Sequence, residues 1–254
     1  MGGMERTFEG LVGEAESAAV TGWDFSWLDG RATEQRPSWG YQRLLRQRLS
    51  TVQSALDIDT GGGEVLAGAG PFPPTMAATE SWPPNLALAT QRLHPLGVVV
   101  VGAANTPKLP FSDEAFDLVS SRHPANLCWP EIARVLTPGG AYFAQHVGPD
   151  SHLELIEQFQ ELPADAHTKG HPDVERAAAE EAGLKVVDLR QERIRVEFFD
   201  IGAVVYFLRK VIWAIPGFTV ATYRNELLRL HRKIEAEGRF VASTSRVLIE
   251  ATKF

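Results

Sequence analysis

The chain has one cysteine, Cys128, among 254 residues. That excludes an internal disulfide framework and fits a reducing compartment. A lone cysteine of this kind reads first as a small buried apolar residue and only second as a nucleophile. Long apolar runs are missing too. None reaches the ~18 residues a membrane-spanning helix needs, so no spanning helix is expected. Basic excess is also lacking: 25 Lys and Arg against 32 Asp and Glu give a net charge of −7. Nucleic-acid binders usually carry a basic footprint, so a broad nucleic-acid surface is disfavoured. Residues Met1 to Arg6 lack the basic and apolar regions of a secretory signal, and Arg6 stands where myristoylation needs Ser or Thr. A soluble, cytoplasmic protein is expected. No internal repeat or low-complexity tract is seen.

What is present is ordinary globular material, 44% hydrophobic and 22% charged, which predicts one domain over residues 1–254 with a sizeable core. The chain is organised around Leu56-Asp57-Ile58-Asp59-Thr60-Gly61-Gly62-Gly63-Glu64. An apolar run ends in three glycines, and an amphipathic segment follows. This is a strand feeding a tight turn into a helix, where glycine permits positive φ and close backbone approach. A ligand there would sit at the carboxyl end of a parallel strand, where open α/β sheets bind.

Apolar runs place strands at about 54–58, 75–79, 98–102, 116–121, 141–147 and 186–198, the last with a break at Gln191-Glu192, and a final strand at 240–252. Val98 to Val101 is an all-valine run, as in a buried parallel strand. Helices are expected at 41–52, 64–69, after Glu80 with Ser81 as its cap, at 128–136, 151–161 and 172–182. A helical insertion at 200–239 precedes the last strand. The segment 1–41 is an arm crowded with Trp23, Phe25, Trp27, Trp39 and Tyr41. It reads as packing on the sheet, as a lid over a pocket, or as both.

The spacing Asp57-x-Asp59-x-Gly61-x-Gly63 is similar to the acidic-x-Gly-x-Gly-x-Gly motif of class I S-adenosylmethionine-dependent methyltransferases, with Asp59 in place of the usual first glycine. The order of later segments resembles the same family: Ala77-Ala78-Thr79-Glu80, Val98 to Gly102, Leu109-Pro110-Phe111 to Phe116-Asp117-Leu118-Val119, and Glu131 to Gly140. The resemblance implies an α/β fold with a Rossmann-like, mostly parallel seven-stranded sheet and helices on both faces, residues 42–199 forming its core. It implies S-adenosylmethionine as cofactor and S-adenosylhomocysteine as product. Asp57, Asp59, Thr60, Gly61 and Gly63 would form the turn around the methionine end. Glu80 would take the ribose hydroxyls, with Ser81 and Trp82 beside it, and Asn105 and Thr106 would lie near the adenine.

A bound sulfonium is an activated methyl donor, so positioning and desolvation carry most of the rate, and a base is needed only if the acceptor loses a proton. His123 and His146 are the acid–base candidates, since histidine titrates near neutrality. Arg122, His152, Trp23 and Trp27 are the candidate acceptor contacts. No metal site is expected. The inserted helices would roof the pocket or form a homodimer surface through Phe207, Trp213 and Phe218. The leading expectation is methyl transfer to O, N or C of a small molecule. Alternatives are methylation of an RNA base, or a donor-binding regulator or scaffold without catalysis.

Overall fold

The structure is a computed structural model that describes residues 7–103, 108–124, 127–162, 164–168 and 170–254. Its chain divides into two compact units. One comprises residues 37–149, 168–192 and 245–254; the other comprises residues up to 36, 150–167 and 193–244.

The first unit is built on parallel strands. β2 (Ser54–Ile58) pairs with β3 (Thr75–Glu80) on one side and with β5 (Phe116–Arg122) on the other. β4 (Val99–Gly102) extends the sheet beyond β3, and β6 (Leu136–Val147) extends it beyond β5. β8 (Phe240–Lys253) then pairs antiparallel with β6 through Ala141↔Thr252 to Val147↔Arg246, and β7 (Leu184–Phe198) flanks it.

Strand side chains alternate between two faces, and the two apolar clusters of this unit follow that alternation. Leu56, Val119, Tyr142 and Ile249 share one cluster with Ile132 of α5 (Trp129–Val135) and Ala179 of α7 (Pro172–Glu181). Their neighbours Ala55, Leu118, Phe143 and Leu248 share the other. That second cluster includes Leu45 of α2 (Tyr41–Leu49), Leu66 of α3 (Glu64–Ala67) and Leu93 of α4 (Pro83–Leu93). Helices therefore cover both faces, and the chain reverses its direction across the sheet at β2. Such a switch point leaves a crevice at the carboxyl ends of β2 and its neighbours.

The second unit gathers the start of the chain and the insertion. α8 (Ile201–Lys210) is its axis, with Ile201 through Leu208 all buried. Asp200 caps it, accepting from the Ala203 amide at 2.8 Å, and Arg31 Nε donates to the same carboxylate at 2.9 Å. α1 (Phe8–Ser17) packs on α8, and α9 (Arg224–Glu237) adds Leu227, Leu230 and Ile234 to the core. Arg224 pairs with Glu9 and Arg229 with Glu226, so the basic run of α9 is interleaved with acids.

Several expectations need correction. The sheet has eight strands, not seven, in the order β1-β7-β8-β6-β5-β2-β3-β4. The extra one, β1 (Ala32–Glu34), pairs with Val196–Phe198 and is too short to show periodicity. β7 runs unbroken through Gln191-Glu192. The helix expected over 151–161 is a single turn, α6 (Leu153–Ile156). Ser81 does not cap α4; Trp82 holds the cap position and no side chain bonds there. Phe207 is 7% exposed and Phe218 packs on the core, so of the three aromatics proposed for a dimer surface only Trp213 is exposed.

Candidate active site

β2 carries Asp57 near its carboxyl end, and the chain then turns sharply. Asp59 has φ 54°, Gly61 65° and Gly63 79°. Glycine reaches this region freely, whereas an L-residue does so at a cost and Asp is among the few that tolerate it. Asp59 thus keeps the left-handed conformation available to the glycine it replaces. Gly63 is required twice over. Besides its φ, a Cβ there would lie 2.9 Å from Leu93 of α4. The turn is tied to β3 by the Thr60 amide, which donates to the Thr79 carbonyl at 2.9 Å. Arg92 closes it from α4, donating to the Gly62 carbonyl and, at 2.8 Å, to Glu64.

Three carboxylates surround this turn. Asp57 is 6% exposed and accepts from Ser120 Oγ at 2.6 Å. Burial pushes its carboxyl up to about 6, the Ser120 bond opposes that shift, and the Asp59 charge adds to it. Glu80 closes β3 and is equally buried. One of its oxygens accepts from the Ser81 amide at 2.9 Å and the Trp82 amide at 2.8 Å. Burial raises its carboxyl above the ordinary range; the Trp82 amide opposes this and Asp59 adds to it. The Trp82 ring is 42% exposed at the start of α4. Asn105 and Thr106 lie outside the described residues.

β5 and β6 carry the histidines. His123 follows β5 with φ 57°, its amide donating to the Gln145 carbonyl at 2.7 Å. The Gln145 side chain decides its tautomer. Its oxygen accepts from the Trp39 indole at 2.8 Å, so its amide nitrogen faces His123 Nε2 at 3.0 Å. Nε2 is then an acceptor and the proton sits on Nδ1. Burial, then Arg122 and Arg246, hold this imidazole well below its ordinary range. A ring with its lone pair engaged and its basicity depressed is a weak general base.

His146 ends β6, 5% exposed. Its Nε2 lies 2.9 Å from the Tyr142 hydroxyl and its Nδ1 3.7 Å from Glu175 of α7. Burial lowers it to about 4. Burial raises Glu175 in turn, opposed by a hydrogen bond from Trp129. Both histidines are thus neutral, hydrogen-bonded groups near the β5 and β6 ends. Arg122 is at the same edge, in register with Gln145. The other candidates belong to the second unit. His152 starts α6 with its ring 4.8 Å from Phe207. Trp27 stacks on Tyr206 at 4.6 Å, and Trp23 meets Trp213 at 5.5 Å.

Residues 56–144 match the family model described as a methyltransferase domain. Over that stretch, from β2 into β6, the chain is similar to a methyltransferase domain. Solved structures agree on the fold. A candidate methyltransferase from Bacillus halodurans is 20% identical with a TM-score of 0.61, covering 84% of this chain and 98% of that one. A candidate sarcosine dimethylglycine methyltransferase from Galdieria sulphuraria is 15% identical at 0.52, covering 85% and 84%. Geranyl diphosphate C-methyltransferase from Streptomyces coelicolor, solved with Mg²⁺, geranyl diphosphate and S-adenosylhomocysteine, is 14% identical at 0.52, covering 84% and 77%. No curated protein matches the sequence.

The glycine turn fits S-adenosylmethionine, the donor that this similarity implies. That molecule brings a sulfonium, an ammonium and a ribose diol, and the turn offers three carboxylates plus backbone opened by Gly61 and Gly63. The buried Thr60 hydroxyl, close enough to Asp57 to favour its charge, makes no hydrogen bond of good geometry. The sequence pointed to Asp57, Asp59 and Glu80 through the motif. It missed Ser120, Arg92, Gln145, Tyr142 and Glu175, which act through partners far away in the chain. Arg92 left one trace, a cation in the last turn of a helix.

Proposed function

We propose that this methyltransferase moves a methyl group to an O, N or C nucleophile of a small molecule by in-line displacement, in the cytoplasm. The observation that carries the reading is the placement of Asp57, Asp59 and Glu80 around one glycine turn at the carboxyl ends of β2 and β3. When bound, S-adenosylmethionine supplies a methyl group already activated for transfer. The work left to the chain is positioning and exclusion of water. Glu80, fixed by the Ser81 and Trp82 amides, would take the ribose hydroxyls. Asp57 and Asp59 would hold the cationic methionine end, and the exposed Trp82 ring would offer a flat apolar wall. Arg122 would meet the acceptor. His123 would serve as a hydrogen-bonding and orienting group, since its Nε2 lone pair is already engaged by Gln145; His146, buried beneath, would stiffen the strand end.

A small-molecule acceptor is supported by the net charge of −7 and by the ion pairing of Arg224 and Arg229 in α9. Fold neighbours named for geranyl diphosphate and for sarcosine dimethylglycine point the same way. The test is to incubate the protein with methyl-labelled S-adenosylmethionine and either a metabolite extract or bulk RNA. Label moving into the small-molecule fraction supports the reading. Label moving into RNA alone overturns it.

A further inference from the structure

Lys210 is the last residue of α8, and it is 6% exposed. Its Nζ is buried and has no hydrogen-bond partner. Among the described residues it also has no ion-pair partner. Two aromatic rings among the described residues face it, Phe25 with Nζ 5.0 Å from the centroid and Tyr206 at 5.5 Å. Asp24 attracts it through space. That carboxylate, however, is bonded to the Ser26 amide at 2.8 Å and to its hydroxyl at 3.0 Å.

The local balance is unfavourable. Removing an ammonium from water is costly unless it is paired and hydrogen-bonded. Two ring faces at these distances return only part of that cost, and the helix C-terminus adds a smaller favourable amount. Burial pulls the lysine below its ordinary range, opposed by Asp24, as expected of a cation short of acceptors. A buried donor left without an acceptor is the usual mark of a missing ligand or of a structural cost.

The surroundings favour the ligand. Phe25, the nearer wall, stacks on Trp23 at 6.3 Å, and Trp23 meets Trp213 at 5.5 Å. Trp23 is 44% exposed, Trp213 59% and the adjacent Ile212 67%. Large apolar side chains clustered at the surface mark a recognition site, where scattered ones would not. Here the cluster leads to a cation with three unused N–H donors.

We propose that Lys210 anchors a ligand site in the second unit, one that takes a small organic anion with a flat apolar body. The anionic head would accept from Nζ, and the body would lie against Phe25, Trp23 and Trp213. This site stands on its own residues and does not depend on the methyl-transfer reading.

The test is tryptophan fluorescence of the whole protein titrated with benzoate, with benzamide as the uncharged analogue and inorganic phosphate as the anion without a ring. A saturable benzoate response is expected, at least tenfold tighter than either control, and Lys210→Met should abolish it while Lys210→Arg retains part. An equal benzamide response overturns the role of the charge, and an equal phosphate response overturns that of the ring. No saturable response to any of the three, or an unchanged one in Lys210→Met, overturns the site. Should Lys210→Met fail to fold, protection of Lys210 in the wild-type protein answers the question. Benzoate should slow its acylation by acetic anhydride, read by peptide mass, and equal labelling with and without benzoate refutes the proposal.

Discussion

Replacing Asp57 by Asn should make the protein more stable and its cofactor binding weaker. The carboxyl is held at about 6 against an ordinary 3.8. Each unit of such a shift is worth ~1.4 kcal/mol, so about 3 kcal/mol separates the charged folded state from a neutral one. The sign follows from a folded pKa raised above the unfolded one. The stability that Asp57 contributes is fully present below about pH 4 and is lost as pH rises through about 6. Asn is neutral throughout, keeps an oxygen to accept from Ser120, and escapes that loss. Urea unfolding of both proteins from pH 4 to pH 8 should give a difference near zero at the acid end. The difference should grow to at most ~3 kcal/mol in favour of the Asn variant and level off above about pH 6.5. Comparing two proteins is necessary because His146 works in the opposite direction over the same range. A variant that is less stable at pH 8, or a difference that does not change with pH, would refute the argument from burial.

Other outcomes follow from the same structure. Gly63→Ala should cost roughly 2–4 kcal/mol, the left-handed conformation and the Leu93 contact together. Gly97→Ala, at φ 82° with nothing within 4 Å of the added Cβ, should cost only the conformational part of ~1–2 kcal/mol; equal losses in denaturant melts would contradict the packing argument. His146, held at about 4, takes up its proton later in the folded state than in the unfolded one. Its contribution is present above pH 6.5 and lost as pH falls toward 4. His146→Gln should therefore gain on wild type by up to ~3 kcal/mol across that interval, read by pH-dependent melts, and a parallel pair of curves would count against a neutral buried imidazole.

The core elements were legible because their signals are local. The β2 strand, the glycine turn and the presence of β4 each carry their cause within a few residues. The burial expected of the valine run does not hold: β4 is the edge of the sheet and Val99 is 61% exposed. Boundaries drifted where tertiary partners decide. β1 exists only because Val196–Phe198 offers it an edge. Ser81 looked like a cap, but α4 begins at Pro83 and Trp82 takes the cap position. Site residues divided the same way. The acids of the turn were readable from spacing. The groups that set their chemistry were not: Ser120 reaches Asp57 from 63 positions away, and Gln145 reaches His123 from 22. His123 and His146 were chosen for a pKa near neutrality, and burial removes that property from both.

The most direct test of the cofactor site is calorimetric titration of S-adenosylhomocysteine into wild type and Glu80→Gln. Hydrogen bonds to a charged group are worth about 1.5–3 kcal/mol, or roughly 10- to 150-fold in affinity. The account predicts saturable binding to wild type, weakened by that factor in the variant with its melting behaviour retained. No binding to wild type, or equal binding to both, would contradict it.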